Sequence, residues 1–239
     1  MVFRREALLH GVAVAVLLDA ALIWQGSRVL AWHARVVEAL LRVAGVAWEQ
    51  GKELVLLPGV SVGLLRTSYL DYQTYPLYPW YCLGAVMTLA ILAFRRCPLP
   101  LRPLLWLAPL SLGVTLLYLT AISPTVPYNP EDFSTIWYRG ETYLWLLLPW
   151  IFAMSVFALH VPIRLKMTWL SLLFLYSFLW SAIRLATALA TFHYLGPLWM
   201  PFFYFVFGFL ADFLYIVAFY SLAVDQAAGY LAKQREAWQ

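Results

Sequence analysis

Three ionisable residues stand inside otherwise apolar runs: Asp19, Arg184 and Asp212. A charge left alone in hydrocarbon is costly, so each should face other helices or a wet cavity. Counted at about 1.5 Å per residue, Asp19 and Asp212 lie at similar depth. Arg184 lies higher, with a side chain long enough to reach down. The expected arrangement is an intramembrane ion pair of Arg184 with Asp212, Asp19 or both. Such a pair fixes helix packing, or it forms part of a proton or substrate path.

A second group gathers at one predicted membrane face: Cys82, Arg139, Arg184 and His193. A cysteine becomes nucleophilic when a nearby cation or histidine lowers its pKa. Cys82, Arg184 and His193 are therefore candidate catalytic residues, against the ordinary alternative of an inert buried thiol. Cys82 and Cys97 sit fifteen residues apart on one helix, roughly 22 Å, too far for a disulfide. The histidines His10, His33, His160 and His193 fall near the two membrane boundaries. Formally they offer one pair per leaflet for haem, and otherwise they anchor in headgroups. No phosphate-binding loop, Gly-x-Gly-x-x-Gly, His-Glu-x-x-His or Cys-x-x-Cys motif occurs. No metal site and no resident cofactor are expected, with haem, pigment or quinone contact as the open possibility.

The elements that must position these residues follow from composition. The chain has 239 residues, 64% hydrophobic and 12% charged. Soluble domains carry about 25% charged residues, so a water-soluble fold and a nucleic-acid partner are both excluded. Runs long enough to span a bilayer predict an all-α, polytopic membrane protein in a single integral domain. Six spans are expected, over residues 7–24, 79–94, 101–122, 143–159, 167–192 and 198–224. Met1-Val2-Phe3-Arg4-Arg5 before the first run reads as the basic end of an uncleaved signal anchor. Basic residues in the short loops favour both termini on the cytoplasmic side of a cell membrane, with a bacterial inner membrane as the expected location.

The loop 25–78 is expected to hold an amphipathic interfacial helix. Arg28, Arg35, Arg42 and Glu49 recur every seven residues, with Val29, Leu30, Val37 and Leu41 between them. Beyond it, Gly51–Gly63 reads as a short extended segment, and Tyr69, Tyr72, Tyr75, Tyr78, Trp80 and Tyr81 as an interfacial aromatic belt. The loop 123–142 is acidic and proline-rich, and it is expected to be irregular at least to Asp132. The last run is dense in Phe and Tyr, which meet lipid, pigment, quinone or a partner helix.

The stretch Val37–Val46, then Gly51 and Leu54-Val55-Leu56-Leu57-Pro58-Gly59, is similar to the segment before the catalytic cysteine of the exosortase/archaeosortase family. It also resembles the small membrane proteins that accompany such enzymes. The resemblance spans Val37–Gly84 and implies a multi-pass transpeptidase using Cys, Arg and His at the outer face. Cys82 would be the nucleophile, His193 the base, and Ser181-Ala182-Ile183-Arg184 would stand for the family's Asn-x-x-Arg. Cys82-Leu83-Gly84 replaces the family's Cys-Ser-Gly, which suits a catalytically degenerate relative or an associated protein better than a working enzyme. The leading expectation is a non-catalytic subunit or assembly factor of a cell-envelope membrane complex, with the bilayer and other membrane subunits as partners. An exosortase-like cysteine transpeptidase and a small proton-coupled transporter are the alternatives.

Overall fold

In the computed structural model, residues 5–69, 77–94, 96–98, 102, 106–122, 128–157, 159 and 161–236 are described. Tyr72 and Tyr75 of the aromatic belt, His160, Pro124, Pro127 and the beginning of the span at 101 lie outside them.

The chain is mostly helical. Helix α1 covers Arg5–Val43, followed by strands β1 (Trp48–Leu57) and β2 (Val60–Thr67). Helices α2 (Tyr78–Phe94), α3 (Leu107–Ala121), α4 (Pro130–Ser155) and α5 (Ile163–Leu195) come next. A 3-10 turn at Pro197–Trp199, a single α turn at Met200–Phe202 and a π-helical stretch at Phe203–Leu210 then lead into α6, Ala211–Glu236. Three helical runs are long and apolar enough to cross a membrane: Leu9–Val43, Ile163–Leu195 and Pro197–Ala232. Helices α2 and α3 are apolar but shorter.

Two expectations about the first loop are corrected. The helix does not stop at Trp24 to begin again at the interface, because α1 runs unbroken for 39 residues. The segment after it is an antiparallel hairpin, so the fold is not purely α. Gly26 and Ser27 are where the hairpin docks on α1. A side chain at Gly26 would come within 2.9 Å of Val60 Cγ1, so only glycine lets the strand approach so closely. Ser27 Oγ donates to the Gly59 carbonyl at 3.0 Å and accepts from the Ser61 amide at 3.0 Å. Gly59 turns the hairpin at φ +79°, a conformation that suits glycine.

The heptad stripe holds on this longer helix: Arg28, Arg35 and Arg42 are exposed, while Leu30, Ala34, Val37 and Leu41 are buried. Along β2, Val60, Val62, Leu64, Leu65 and Thr67 are buried. Glu49 pairs opposite Arg66 across the strands. The Lys52 amide donates to Glu131 at 3.3 Å, fastening the hairpin to α4.

Helix α4 begins at Pro130, so residues 130–132, expected to be irregular, are helical. Asn129 and Asp132 form a reciprocal capping box, at 2.9 and 3.0 Å, with Pro130 in the first turn. The proline fits there because its missing N–H is one the helix would leave unpaired anyway. One continuous core joins α1, the hairpin, α4, α5 and the C-terminal run, and a smaller cluster joins α2, α3 and Leu198.

Candidate functional site

The polar centre of the molecule is organised by one face of α5. Ser177, Ser181 and Arg184 are spaced four and three residues apart, so they project on the same side of the helix. All three are buried. Ser177 Oγ accepts from Trp145 Nε1 at 3.0 Å and bonds the Tyr215 hydroxyl at 2.8 Å. Ser181 Oγ accepts from Trp137 Nε1 at 3.2 Å and lies 3.2 Å from His33 Nε2. These bonds tie α1, α4 and α6 to α5 through groups that would be costly to bury alone. His33, expected among headgroups, is instead fully buried, with Tyr138, Trp145 and Phe178 meeting its ring edge-on.

Arg184 is the hub. Its Nη2 donates to Glu141 Oε1 at 2.8 Å and to Asp212 Oδ1 at 2.5 Å. Its Nη1 donates to the Gly208 carbonyl at 3.0 Å and to the Phe207 carbonyl. The guanidinium also lies over the Trp137 ring, 5.1 Å from its centroid. The π-helical stretch has a local purpose here: its wider turn directs the carbonyls of Phe207 and Gly208 at the arginine. Such single-turn departures from α geometry concentrate at functional sites.

The charge balance is uneven, with two carboxylates against one guanidinium. Glu141 is 4% exposed, and its second oxygen, Oε2, has no hydrogen-bond partner among the described residues. Beside it, a groove of about 560 Å³ opens between α4 and the C-terminal run, with Glu141 and Asp212 among its lining.

The structure therefore brings Arg184 and Asp212 together and adds Glu141 to them. It does not bring Asp19. Asp19 Oδ2 accepts from Trp150 Nε1 at 2.6 Å. Trp150 lies nine residues beyond Glu141 on α4, about 13 Å along the axis. The other grouping is dispersed. Cys82 is half-buried, packed in the smaller cluster with Leu112, Leu119 and Leu198. His193 Nδ1 lies 3.1 Å from Ser68 Oγ and 3.0 Å from the Ser68 carbonyl, at the end of β2. Arg184 is nine residues away on the same helix, about 13 Å along it, with both its Nη groups bonded to other residues. Arg139 is exposed. Among the described residues, no hydrogen bond or ion pair links Cys82, Arg184 and His193.

The sequence reading missed Glu141, and with it the serine stripe. Glu141 falls just before the apolar run that starts at Tyr143, so a hydropathy window leaves it outside the membrane. The i, i+4, i+7 spacing of Ser177, Ser181 and Arg184 was a readable signal. Ser68 carried none. Among the described residues, no group of three or more His, Cys, Asp or Glu side chains is placed to hold a metal ion.

Three long apolar helices around a buried ionic hub define a helical, membrane-associated protein. Comparison with protein-family models, with curated proteins and with solved structures finds no match.

Proposed function

We propose that the chain is a non-catalytic integral membrane subunit or assembly factor of a cell-envelope complex. It crosses the bilayer about six times, with both termini cytoplasmic. Helices α2, α3 and α4 supply the crossings beyond the three long runs. The 17 residues of α2 and 15 of α3 reach about 25 and 22 Å, somewhat short of a hydrocarbon core of about 30 Å. Local thinning of the bilayer accommodates such spans.

The observation that carries this reading is the use made of Arg184. Its two Nη groups are turned to two carboxylates and two carbonyls, so the cation steadies a helix junction instead of activating a thiol. The broad apolar surface fits a subunit that meets lipid and neighbouring proteins. Phe205, Phe209 and Phe213 on the C-terminal run, and Trp24 and Val43 on α1, are all exposed. The resemblance over Val37–Gly84 suggests an exosortase-like enzyme as the companion.

One contact favours a second reading, an exosortase-like cysteine transpeptidase built on Cys82, Arg184 and His193. The Tyr78 hydroxyl donates to the Leu195 carbonyl at 3.2 Å, which sets the first turn of α2, and Cys82 with it, against the end of α5 that bears His193. A pull-down of the full chain in mild detergent, with a visible absorbance spectrum, tests the first reading. Stoichiometric recovery of other membrane proteins with a colourless complex is the expected result. A chain recovered alone at every detergent concentration refutes it.

A further inference from the structure

The ionic hub has more acidic than basic groups, and its surroundings do not redress the count. Glu141 Oε1 and Asp212 Oδ1 accept from the same nitrogen of Arg184, at 2.8 and 2.5 Å. The side chains of Arg184, Glu141 and Asp212 are 0%, 5% and 17% exposed. Among the described residues, Arg184 is the cation that pairs with either carboxylate. Lys52 and Arg66 of the hairpin and Arg139 of α4 are exposed, where water and salt screen them. With both carboxylates ionised, one negative charge would stand uncompensated in a place where desolvation is costly.

His33 is the remaining group that could supply a positive charge. It comes from α1, is fully buried, and lies near enough to act on Arg184. Its Nε2 meets Ser181 Oγ at 3.2 Å, while Nδ1 has no partner among the described residues. A doubly protonated ring carries two N–H donors and would leave one of them unbonded, so the imidazole stays neutral. Tyr138 of α4 and Tyr215 of the C-terminal run bring phenols, and Glu38 of α1, which acts on Tyr138, brings a further acid. The balance therefore falls on a carboxyl of the hub. Two carboxylates that share one site cannot both ionise freely. Glu141 is the more buried of the pair, and its Oε2 is a buried oxygen without a partner. A bare charge on that oxygen costs more than a neutral O–H.

We propose that the hub binds one proton, carried on Glu141, so that α4, α5 and the C-terminal run meet in an electrically neutral junction. Arg184 and Asp212 are then the ion pair, and Glu141 accepts from the guanidinium through an uncharged carbonyl oxygen. Loss of the proton sets two carboxylates against one cation and loosens the junction. The site does not depend on the chain's being a subunit of a complex.

Infrared spectroscopy of the full chain in lipid nanodiscs at neutral pH tests the proposal. A protonated-carboxyl C=O band is expected. It should shift when the glutamate side-chain carboxyl is isotope-labelled, stay in place when aspartate is labelled, and vanish in Glu141→Gln. It should also vanish in Asp212→Asn, because one carboxylate then balances one guanidinium and the proton is released. Melting from mildly acidic to alkaline pH gives a second readout. The folded chain holds a proton that an unfolded glutamate, with a pKa of about 4.3, has already lost, so stability declines as pH rises through its release. The wild-type melting temperature should fall over that range more than that of Glu141→Gln, which imitates the protonated form. His33→Gln should keep both the band and the wild-type fall. An absent band, a band that survives in Glu141→Gln or Asp212→Asn, an equal fall in Glu141→Gln, or a fall abolished in His33→Gln overturns the proposal.

Discussion

Replacing Arg184 by methionine removes the cation and keeps much of the side-chain volume. Glu141 and Asp212 then face each other with 5% and 17% of their side chains exposed and no counter-charge. The Phe207 and Gly208 carbonyls lose their donor, and Trp137 loses its cation. Removing one partner of a buried ionic group costs about 3–5 kcal/mol, chiefly because an uncompensated charge is left behind. For a chain of this length each kcal/mol corresponds to roughly 2–4 °C of melting temperature. Arg184→Met should therefore melt roughly 6–20 °C lower in detergent, followed by scanning fluorimetry. The sharper test adds Glu141→Gln and Asp212→Asn to the same chain. If stranded charge is the cause, the neutral triple variant recovers most of the loss. A triple variant as unstable as Arg184→Met would mean that the arginine acts by packing alone, and the charge argument would fail. An Arg184→Met protein melting with the wild type would refute it outright.

Three other substitutions test the fold. Gly26→Leu should push the hairpin from α1 and destabilise by about 1–3 kcal/mol, the usual cost of overpacking, with faster proteolysis near Pro58-Gly59 as the readout. Asn129→Ala removes the cap of α4 and should cost about 1 kcal/mol, measured by the same melting assay. Ser27→Ala deletes both bonds to the hairpin turn. Hydrogen exchange at the Ser61 amide should rise while exchange in α5 stays unchanged.

What could be read from the residues alone was set by periodicity and by the cost of charge. The heptad of Arg28, Arg35 and Arg42 marked one exposed face correctly, because that pattern depends only on helical spacing. Arg184 and Asp212 stood out because apolar runs rarely carry charge. Depth along a helix can be counted, but the direction a residue faces around it cannot. Asp19 therefore looked like an equal candidate for Arg184, yet it faces Trp150. Loop composition misled at the start of α4. The acidic, proline-rich run was expected to be irregular to Asp132, yet Asn129 and Asp132 cap the helix and Pro130 begins it. The same residue types serve a loop or a helix start, and the local capping contacts decide.

The proposed role rests on Cys82 and His193 not acting as catalysts, and one measurement addresses that directly. Cys82→Ala and His193→Ala should each be introduced into the cells that use this protein, with function and complex assembly followed together. The account predicts that both variants assemble with their partners at wild-type stoichiometry and that function is retained. A Cys82→Ala protein that assembles normally yet abolishes function would contradict it and establish the enzyme reading instead.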